Sequence, residues 1–171
     1  NNAGIAESAP LADVGDAMWD RIMELNATAP FRLTRALLPA MVAAGWGRVI
    51  TIASNAGLTG YAYSSAYCAA KHATVGMTRA LALDLGPSGV TINAVCPGWV
   101  ATRMADEAIA RIAAKTGRDP AAARTALERM SPQRRLVEPD EVAAAVAMLC
   151  GEAARSIHGQ SIVIDGGQVL K

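Results

Sequence analysis

A tyrosine and a lysine four positions apart are the first feature of this sequence that could carry out chemistry. The chain has 171 residues with only three tyrosines and three lysines, yet Tyr67 and Lys71 stand one helical turn apart, on the same face of a helix. A phenol normally keeps its proton to about pH 10, and a cation within about 4–6 Å lowers that pKa. The pair predicts a general acid–base centre in which Lys71 lowers the pKa of Tyr67. On spacing alone, Tyr67 and Lys71 could also be a solvated pair on a helix surface. The residues around them must therefore distinguish a catalytic pair from a solvated one.

Ser54 and Asn26 strengthen the catalytic interpretation. Ser54 lies 13 residues before Tyr67, at the end of the strand-like run "RVITIAS", where its hydroxyl could hydrogen-bond a carbonyl oxygen beside the phenol. Asn26 precedes Pro30, whose missing N–H leaves the Asn26 carbonyl without its helical partner. This predicts a kinked helix and a carbonyl that holds a water, which passes protons between Lys71 and solvent. Alternatively, Ser54 is a turn serine and Asn26 an ordinary polar residue on a kinked helix.

Alternating helical and strand patterns would position these side chains. Helical periodicity predicts helices over 17–44 and 62–85, one or two more over 102–129, and another starting at Pro139. Apolar, β-branched runs predict buried strands at 48–54, 90–98 and within "QSIVIDGG". The succession predicts an α/β fold with a parallel sheet and helices on its faces. Because the carboxyl ends of parallel strands share one edge, Ser54 and the Pro97–Gly98 turn are expected there together.

Composition narrows the class of protein. Hydrophobic residues make up 52% and charged residues 18% of the chain, which indicates a globular protein. A formal net charge of +1 gives no reason to expect nucleic acid or a membrane surface as a partner. No apolar run approaches about 18 residues, and the N-terminus lacks a signal-peptide pattern. Cys68, Cys96 and Cys150 are widely separated, so we predict no metal site and expect a reducing cytoplasm.

A set of motifs in a fixed order along the whole chain resembles the short-chain dehydrogenase/reductase family. The motifs are Asn1-Asn2-Ala3-Gly4, Asn26, Ser54, Tyr67-x-x-x-Lys71, "NAVCPG" at 93–98, Thr102 and "GQSIVIDGG" at 159–167. The closer resemblance is to the compact-subunit branch, which includes 3-oxoacyl thioester reductases and 3-hydroxyacyl or 3-hydroxybutyrate dehydrogenases. It implies a Rossmann-like, three-layer, doubly wound parallel sheet. Residues 1–171 would then form a single domain, with a substrate lid at about 102–130.

The resemblance also implies a role for each matched residue. Tyr67 would be the acid/base, Lys71 its pKa depressor and a ligand of the nicotinamide ribose, Ser54 the donor to the substrate oxygen, and Asn26 the end of a proton relay. The implied cofactor is NAD or NADP, with contacts from Asn2, Ala3, Gly4, Tyr67, Lys71, Pro97, Gly98, Val100 and Thr102. The implied reaction interconverts a ketone and a secondary alcohol, most specifically a 3-oxoacyl and a 3-hydroxyacyl compound. The implied assembly is a homodimer or homotetramer formed through the two long helices.

One departure from the family is large. The glycine-rich turn that cradles the pyrophosphate does not occur in this chain, nor does the acidic or basic residue that separates NAD from NADP. We therefore expect the C-terminal portion of a longer enzyme, without the N-terminal βαβαβ unit and with strand 48–54 as an exposed sheet edge. Two alternatives remain open: a catalytically inert fragment that binds no dinucleotide, and an epimerase or dehydratase using the same Tyr/Lys pair. The "NAVCPG" and "GQSIVIDGG" segments argue against the second.

Overall fold

A parallel sheet forms the centre of the computed structural model, which describes residues 1–170. Its three strands lie in the order β1 (Gly47–Ile52), β2 (Val90–Pro97) and β3 (Ser161–Ile164). Val49 of β1 lies opposite Ile92 of β2. Every residue of β2 is buried, as expected for the central strand of a sheet covered on both faces. The sequence prediction of an α/β fold is confirmed.

Helices connect and cover the strands. In chain order they are α1 (Asp16–Met23), α2 (Ala29–Ala43), α3 (Ser65–Leu85), α4 (Arg103–Thr116), α5 (Pro120–Glu128) and α6 (Pro139–Cys150). Single 3₁₀ turns occur at Leu11–Asp13, Asn55–Gly57 and Glu152–Ala154. None of the helices in the described part of the chain is both long and apolar enough to cross a membrane.

The two faces of the sheet carry separate hydrophobic clusters. One cluster packs β1 and β2 against α2 and α3, and consists of Val49, Ala82, Leu85, Val90 and Ile92 with Leu38, Met41 and Leu81 around them. The opposite cluster packs the sheet against α6, with Val95 and Leu149 buried and Ile50, Ile52, Val146 and Ile162 beside them. Alternate residues of β1 therefore point to opposite helix layers, which gives the three-layer arrangement.

The helix predicted over 17–44 is interrupted rather than continuous. Residues Glu24–Thr28 form a π turn between α1 and α2, in which the Ala29 N–H donates to the carbonyl of Glu24, five residues back. Pro30 cannot supply the N–H that an α-helix would direct at Asn26, so an inserted turn replaces a simple kink. The predicted break near Gly117 is present: this glycine ends α4 with a φ of +70°, and Asp119 caps α5.

The first residues of the chain pair with the outer edge of β1. The amino group of Asn1 donates to the Ile50 carbonyl at 2.8 Å, and the Ile52 N–H donates to the Asn1 carbonyl at 2.8 Å. The strand edge that was expected to be exposed is thus covered at its C-terminal end. This pairing carries residues 2–4 past the end of β1, next to the loop that contains Ser54.

Candidate active site

Ser54 and Tyr67 come together at the carboxyl edge of the sheet, as predicted. Ser54 lies two residues after β1 and is only 8% exposed, and its Oγ accepts the Ala56 N–H at 3.1 Å. Tyr67 lies in the first turn of α3, and the Ser54 side chain is within hydrogen-bonding reach of its phenol. Ser54 therefore also stabilises its turn, as the alternative interpretation held. Because the Ala56 N–H occupies a lone pair, the Ser54 hydroxyl proton stays available for donation.

Lys71 is buried one turn further along α3. Its Nζ lies 5.6 Å from the centre of the Tyr67 ring and donates to the Ile52 carbonyl at 2.9 Å. Lys71 is only 5% exposed, and burial of its amine lowers the pKa of Lys71 to about 8. An ammonium has three N–H donors, so two remain for other acceptors.

The direction of the Tyr67 pKa corrects the sequence prediction. Burial raises the pKa of this phenol above its usual value of 10.0, and the hydrogen bond with Ser54 opposes that rise only in part. The attraction between the Lys71 ammonium and the phenolate does not reverse this shift, because desolvation of the phenolate is the larger effect. Tyr67 therefore carries its proton at neutral pH in this structure, which suits a general acid.

The Asn26 side chain lies beside Lys71, in the π turn between α1 and α2. Asn26 is 1% exposed, and its Nδ2 donates to the carbonyls of Ile5 at 3.0 Å and Ile22 at 2.9 Å. These bonds direct Oδ1 away, and among the described residues this buried atom has no hydrogen-bond partner. A Cβ on Gly4 would lie 2.8 Å from Asn26 Oδ1 and 3.7 Å from Lys71 Nζ. Both atoms therefore border the space beside Gly4.

The main-chain carbonyl of Asn26 accepts a hydrogen bond from the neighbouring helix. Thr74 Oγ1 donates to this carbonyl at 3.0 Å from the neighbouring helix α3. Sequence analysis missed Thr74, although a signal was present: Tyr67, Lys71, Thr74 and Thr78 recur at helical spacing as a polar stripe on one face of α3. The carbonyl is free of its helical donor, as Pro30 predicts, and the Thr74 hydroxyl occupies one of its two lone pairs.

The predicted cofactor contacts fall into two groups at the carboxyl edge of the sheet. Asn2, Ala3 and Gly4 follow the residue paired with β1, and Asn2 and Ala3 are exposed. The second group follows β2: Pro97 ends the strand, Gly98 donates its N–H to Ile164 at 3.0 Å, Val100 bridges to Val137, and Thr102 is the exposed residue before α4. The structure thus brings both groups to one edge and places Gly4 next to Lys71.

A buried carboxylate that sequence analysis treated only as part of a turn fixes this edge. Asp165 is 4% exposed, and its oxygens accept the backbone N–H groups of Gly167, Gln168 and Val169 at 2.9–3.1 Å. One oxygen also accepts Asn55 Nδ2 at 3.2 Å. The loop after β3 is thereby tied to the loop after β1, adjacent to Ser54. The "DGG" motif is the signal in the sequence.

Tyr61 is held in the same region but is unsuited to acid–base work. Its hydroxyl accepts Gln168 Nε2 at 2.8 Å. Burial, together with the nearby charge of Asp165, raises the pKa of Tyr61 to about 12. Of the two partly buried tyrosines, Tyr67 is the one with a serine and a lysine beside it.

Known proteins resemble this chain along nearly its whole length. The family model described as enoyl-(acyl carrier protein) reductase matches residues 1–168. The D-beta-hydroxybutyrate dehydrogenase of Cupriavidus necator is 42% identical, over 100% of this chain and 67% of the relative. A putative ketoacyl reductase of the monensin polyketide synthase, from Streptomyces virginiae, is 38% identical over 98% of this chain and 65% of the relative.

A solved structure has a closely similar fold. The crystal structure of an actinorhodin polyketide ketoreductase variant with NADPH superposes with a TM-score of 0.94 at 38% identity. The match covers 98% of this chain and 65% of that one. The chain therefore spans about two thirds of the length of the proteins that it matches.

Proposed function

This chain belongs to the short-chain dehydrogenase/reductase family, and we propose that it carries the catalytic part of an NAD(P)-dependent oxidoreductase that interconverts a ketone and a secondary alcohol. The observation that carries the proposal is the convergence of Ser54, Tyr67 and the buried amine of Lys71 at one edge of the sheet. Two similar proteins are named for a 3-hydroxyacid and for a ketoacyl group. These names support a 3-oxoacyl or 3-hydroxyacyl compound as the substrate.

In the direction of reduction, Tyr67 donates its proton to the carbonyl oxygen of the substrate. Its raised pKa keeps the phenol protonated at neutral pH until charge develops on that oxygen. Ser54 donates a hydrogen bond to the same oxygen, since its Oγ already accepts from Ala56. Together the two hydroxyls stabilise the developing alkoxide and then protonate it.

Lys71 and Asn26 return a proton to the phenol. The Lys71 ammonium stabilises the phenolate electrostatically once the proton has left. A pKa of about 8 makes this amine a proton donor that can exchange near neutral pH. Lys71 Nζ and Asn26 Oδ1 both border the space beside Gly4. In this proposal the proton passes from the amine to Asn26 through that space.

The residues present fit the nicotinamide end of the cofactor, NAD or NADP. Lys71 uses one of its N–H donors on Ile52 and keeps two, which matches the two hydroxyls of a ribose. The nicotinamide ring, when bound, supplies or accepts the hydride. The residues that would hold this end of the cofactor are Asn2, Ala3, Gly4, Tyr67, Lys71, Pro97, Gly98, Val100 and Thr102.

Residues 102–130 are proposed as the substrate lid. They contain α4 and α5, which share a hydrophobic cluster around Ile109, Ala123 and Leu127; the cluster also includes Leu136 and packs against Trp99 and Ala101. The segment begins at Thr102, directly after the turn that follows β2. It can therefore adapt to a substrate while the strands keep their register.

A homodimer or homotetramer through α2 and α3 is proposed as the assembly. Large apolar side chains on these helices face outward: Leu33 is 55% exposed, Leu37 56% and Leu83 84%. Such rows of exposed leucines on long helices are typical of surfaces that pack against another subunit.

The experiment replaces Tyr67 in the complete encoded enzyme. Reduction of 3-oxoacyl thioesters is followed by the absorbance of the reduced nicotinamide, with a 2-enoyl thioester as a comparison substrate. Tyr67→Phe removes the proton donor and is expected to lower kcat by about 10³-fold or more while the circular dichroism spectrum is unchanged. Tyr63→Phe is the control, because Tyr63 is 66% exposed and should retain full activity. Substantial turnover in Tyr67→Phe would refute the mechanism.

A further inference from the structure

Thr74 links the turn that holds Asn26 to the helix that holds Tyr67 and Lys71. Its Oγ1 lies 3.0 Å from the Asn26 carbonyl, 48 residues away in sequence, and 3.0 Å from the Ala70 carbonyl in its own helix. Thr74 is 1% exposed, so water has little access to its side chain. A hydroxyl has one proton, which the two carbonyls must share.

Thr78 shows that the bond to Asn26 is more than the usual behaviour of a helical threonine. Thr78 is fully buried on the same face of α3, and its Oγ1 donates to the Thr74 carbonyl at 3.0 Å. Such a bond to the carbonyl four residues back satisfies a threonine locally. Thr74 has the same local partner available and, in addition, contacts the carbonyl that Pro30 leaves without a helical donor.

Asn26 is consequently held at three points. Its amide nitrogen donates to Ile5 and Ile22, and its carbonyl accepts from Thr74. These bonds fix the direction of Oδ1, which borders the space beside Gly4 and Lys71. Loss of the Thr74 hydroxyl would free the carbonyl and allow the π turn to shift against α3.

Thr74 also borders a shallow groove on the surface. The groove is lined by Ala27, Thr28 and Phe31 from the π turn and α2, and by Ala73, Thr74 and Met77 from α3. Because Thr74 also contacts the Asn26 carbonyl, a proton pathway from Asn26 to this groove would pass beside it.

We propose that Thr74 is a positioning residue, which sets Asn26 against Lys71 and so controls the rate of proton exchange between the acid–base centre and solvent. The inference rests on the proposed function, because it assumes that Tyr67 and Lys71 transfer the proton. It assigns a chemical role to the third residue of the polar stripe on α3.

The experiment compares four variants of the complete encoded enzyme: Thr74→Val, Thr74→Ser, Thr78→Val and Tyr67→Phe. Thr74→Val keeps the shape of the side chain but removes the donor. It is expected to lower kcat about tenfold or more with KM within twofold, and to increase the solvent deuterium isotope effect on kcat. Thr74→Ser restores the hydroxyl and should recover both values. Thr78→Val removes a buried hydroxyl from the same helix and should leave both near wild type.

Each result decides one question. If Thr74→Val keeps full kcat and an unchanged isotope effect while Tyr67→Phe is inactive, the positioning role is wrong and the proposed function stands. If Tyr67→Phe remains active, the proposed function itself fails. Equal losses in Thr74→Val and Thr78→Val, without a change in the isotope effect, would reduce Thr74 to a packing residue. Should Thr74→Val not fold, Thr74→Ala serves as the second variant without a hydroxyl and is judged by the same outcomes.

Discussion

The acid–base centre and the α4–α5 segment are built by opposite means. At the centre, buried polar groups hold one another: Lys71 donates to Ile52, and Thr74 donates to Asn26. In the α4–α5 segment, apolar contacts among Ala105, Ile109, Ala123, Leu127 and Leu136 hold two amphipathic helices together, and their polar side chains are exposed.

The difference predicts that chemistry and substrate binding depend on different regions of the molecule. Directional bonds in the centre fix atoms to within a fraction of an ångström, so small displacements there should change the rate. The segment depends on a non-directional cluster, whose loss should loosen the proposed lid without moving Tyr67 or Lys71. Variants at the centre are therefore expected to change kcat, and variants in the α4–α5 segment are expected to change KM.

Lys71→Met should give the largest contrast between activity and stability. We expect kcat to fall at least about 100-fold, because the phenolate loses its cation. The free energy of unfolding at pH 7 should rise by about 2 kcal/mol, since a buried charge is removed while the Ile52 carbonyl loses one donor. Urea unfolding and steady-state kinetics measure the two effects. A variant that is both inactive and less stable would show that the lysine contributes to the fold.

The same lysine predicts how stability depends on pH. The Lys71 pKa is about 8 in the folded protein and 10.5 when exposed, so below pH 8 both states carry the proton and the cost of the buried charge is constant. Between these values the unfolded state binds more protons, and the free energy of unfolding should rise by about 3 kcal/mol relative to Lys71→Met. Unfolding at pH 7, 9 and 10.5 for both proteins tests the difference. A constant difference across this range would contradict the lowered pKa.

Gly4→Ala tests whether the acid–base centre still works when the Asn26 side chain is displaced. The added Cβ would lie 2.8 Å from Asn26 Oδ1, and the two bonds of Nδ2 prevent the amide from moving away freely. We expect kcat to fall about tenfold and the free energy of unfolding to fall by about 1–2 kcal/mol.

Gly15→Ala is the matched control for that variant. A Cβ at Gly15 meets nothing within 4 Å, and the residue is the N-cap of α1, with extended backbone and no side-chain cap bond. Because Ala is a poorer N-cap than Gly, stability should fall by about 0.5–1 kcal/mol, with kcat unchanged. If Gly4→Ala behaves like Gly15→Ala, the space beside Lys71 tolerates a methyl group and the centre is less rigid than its contacts indicate.

Some features of the proposed acid–base centre could be predicted from patterns of nearby residues in the sequence, and others could not. The juxtaposition of Ser54, Tyr67 and Lys71 follows from a strand end and an i, i+4 spacing, both of which are readable in sequence. The irregularity of the helix before Pro30 follows from the missing N–H, although a kink was predicted where the structure has a π turn. The predicted convergence of Ser54, Tyr67 and Lys71 is confirmed, because it depends only on a strand end and on the repeat of one helix.

The parts that depend on distant packing could not be predicted in the same way. The raised pKa of Tyr67 reflects how deeply tertiary contacts bury it, which no spacing rule contains. The partner of the Asn26 carbonyl lies 48 residues away, and the Asn55–Asp165 bond joins residues 110 positions apart. Only the three-dimensional arrangement of the helices and strands selects these pairs.

Leu127→Ala addresses the other side of the comparison and should have the smallest effect on chemistry. Leu127 is 5% exposed in the cluster that joins α4 and α5, so its truncation leaves a cavity there. We expect a loss of about 2–3 kcal/mol in the stability of this segment, seen as faster hydrogen exchange over 103–128. KM for the substrate should rise several-fold, with kcat within about twofold of wild type.

Arg124→Ala on the same helix separates loss of the cluster from a general change in α5. Arg124 forms a 2.9 Å ion pair with Glu128 whose members are 47% and 25% exposed, so removing it should cost no more than about 0.5 kcal/mol and leave KM unchanged. A fall in kcat in Leu127→Ala with KM unchanged would mean that the segment helps to position the acid–base centre. The proposed division between a rigid chemical centre and a separately packed lid would then be wrong. The apolar cluster would instead help to hold the acid–base residues in place through the turn after β2.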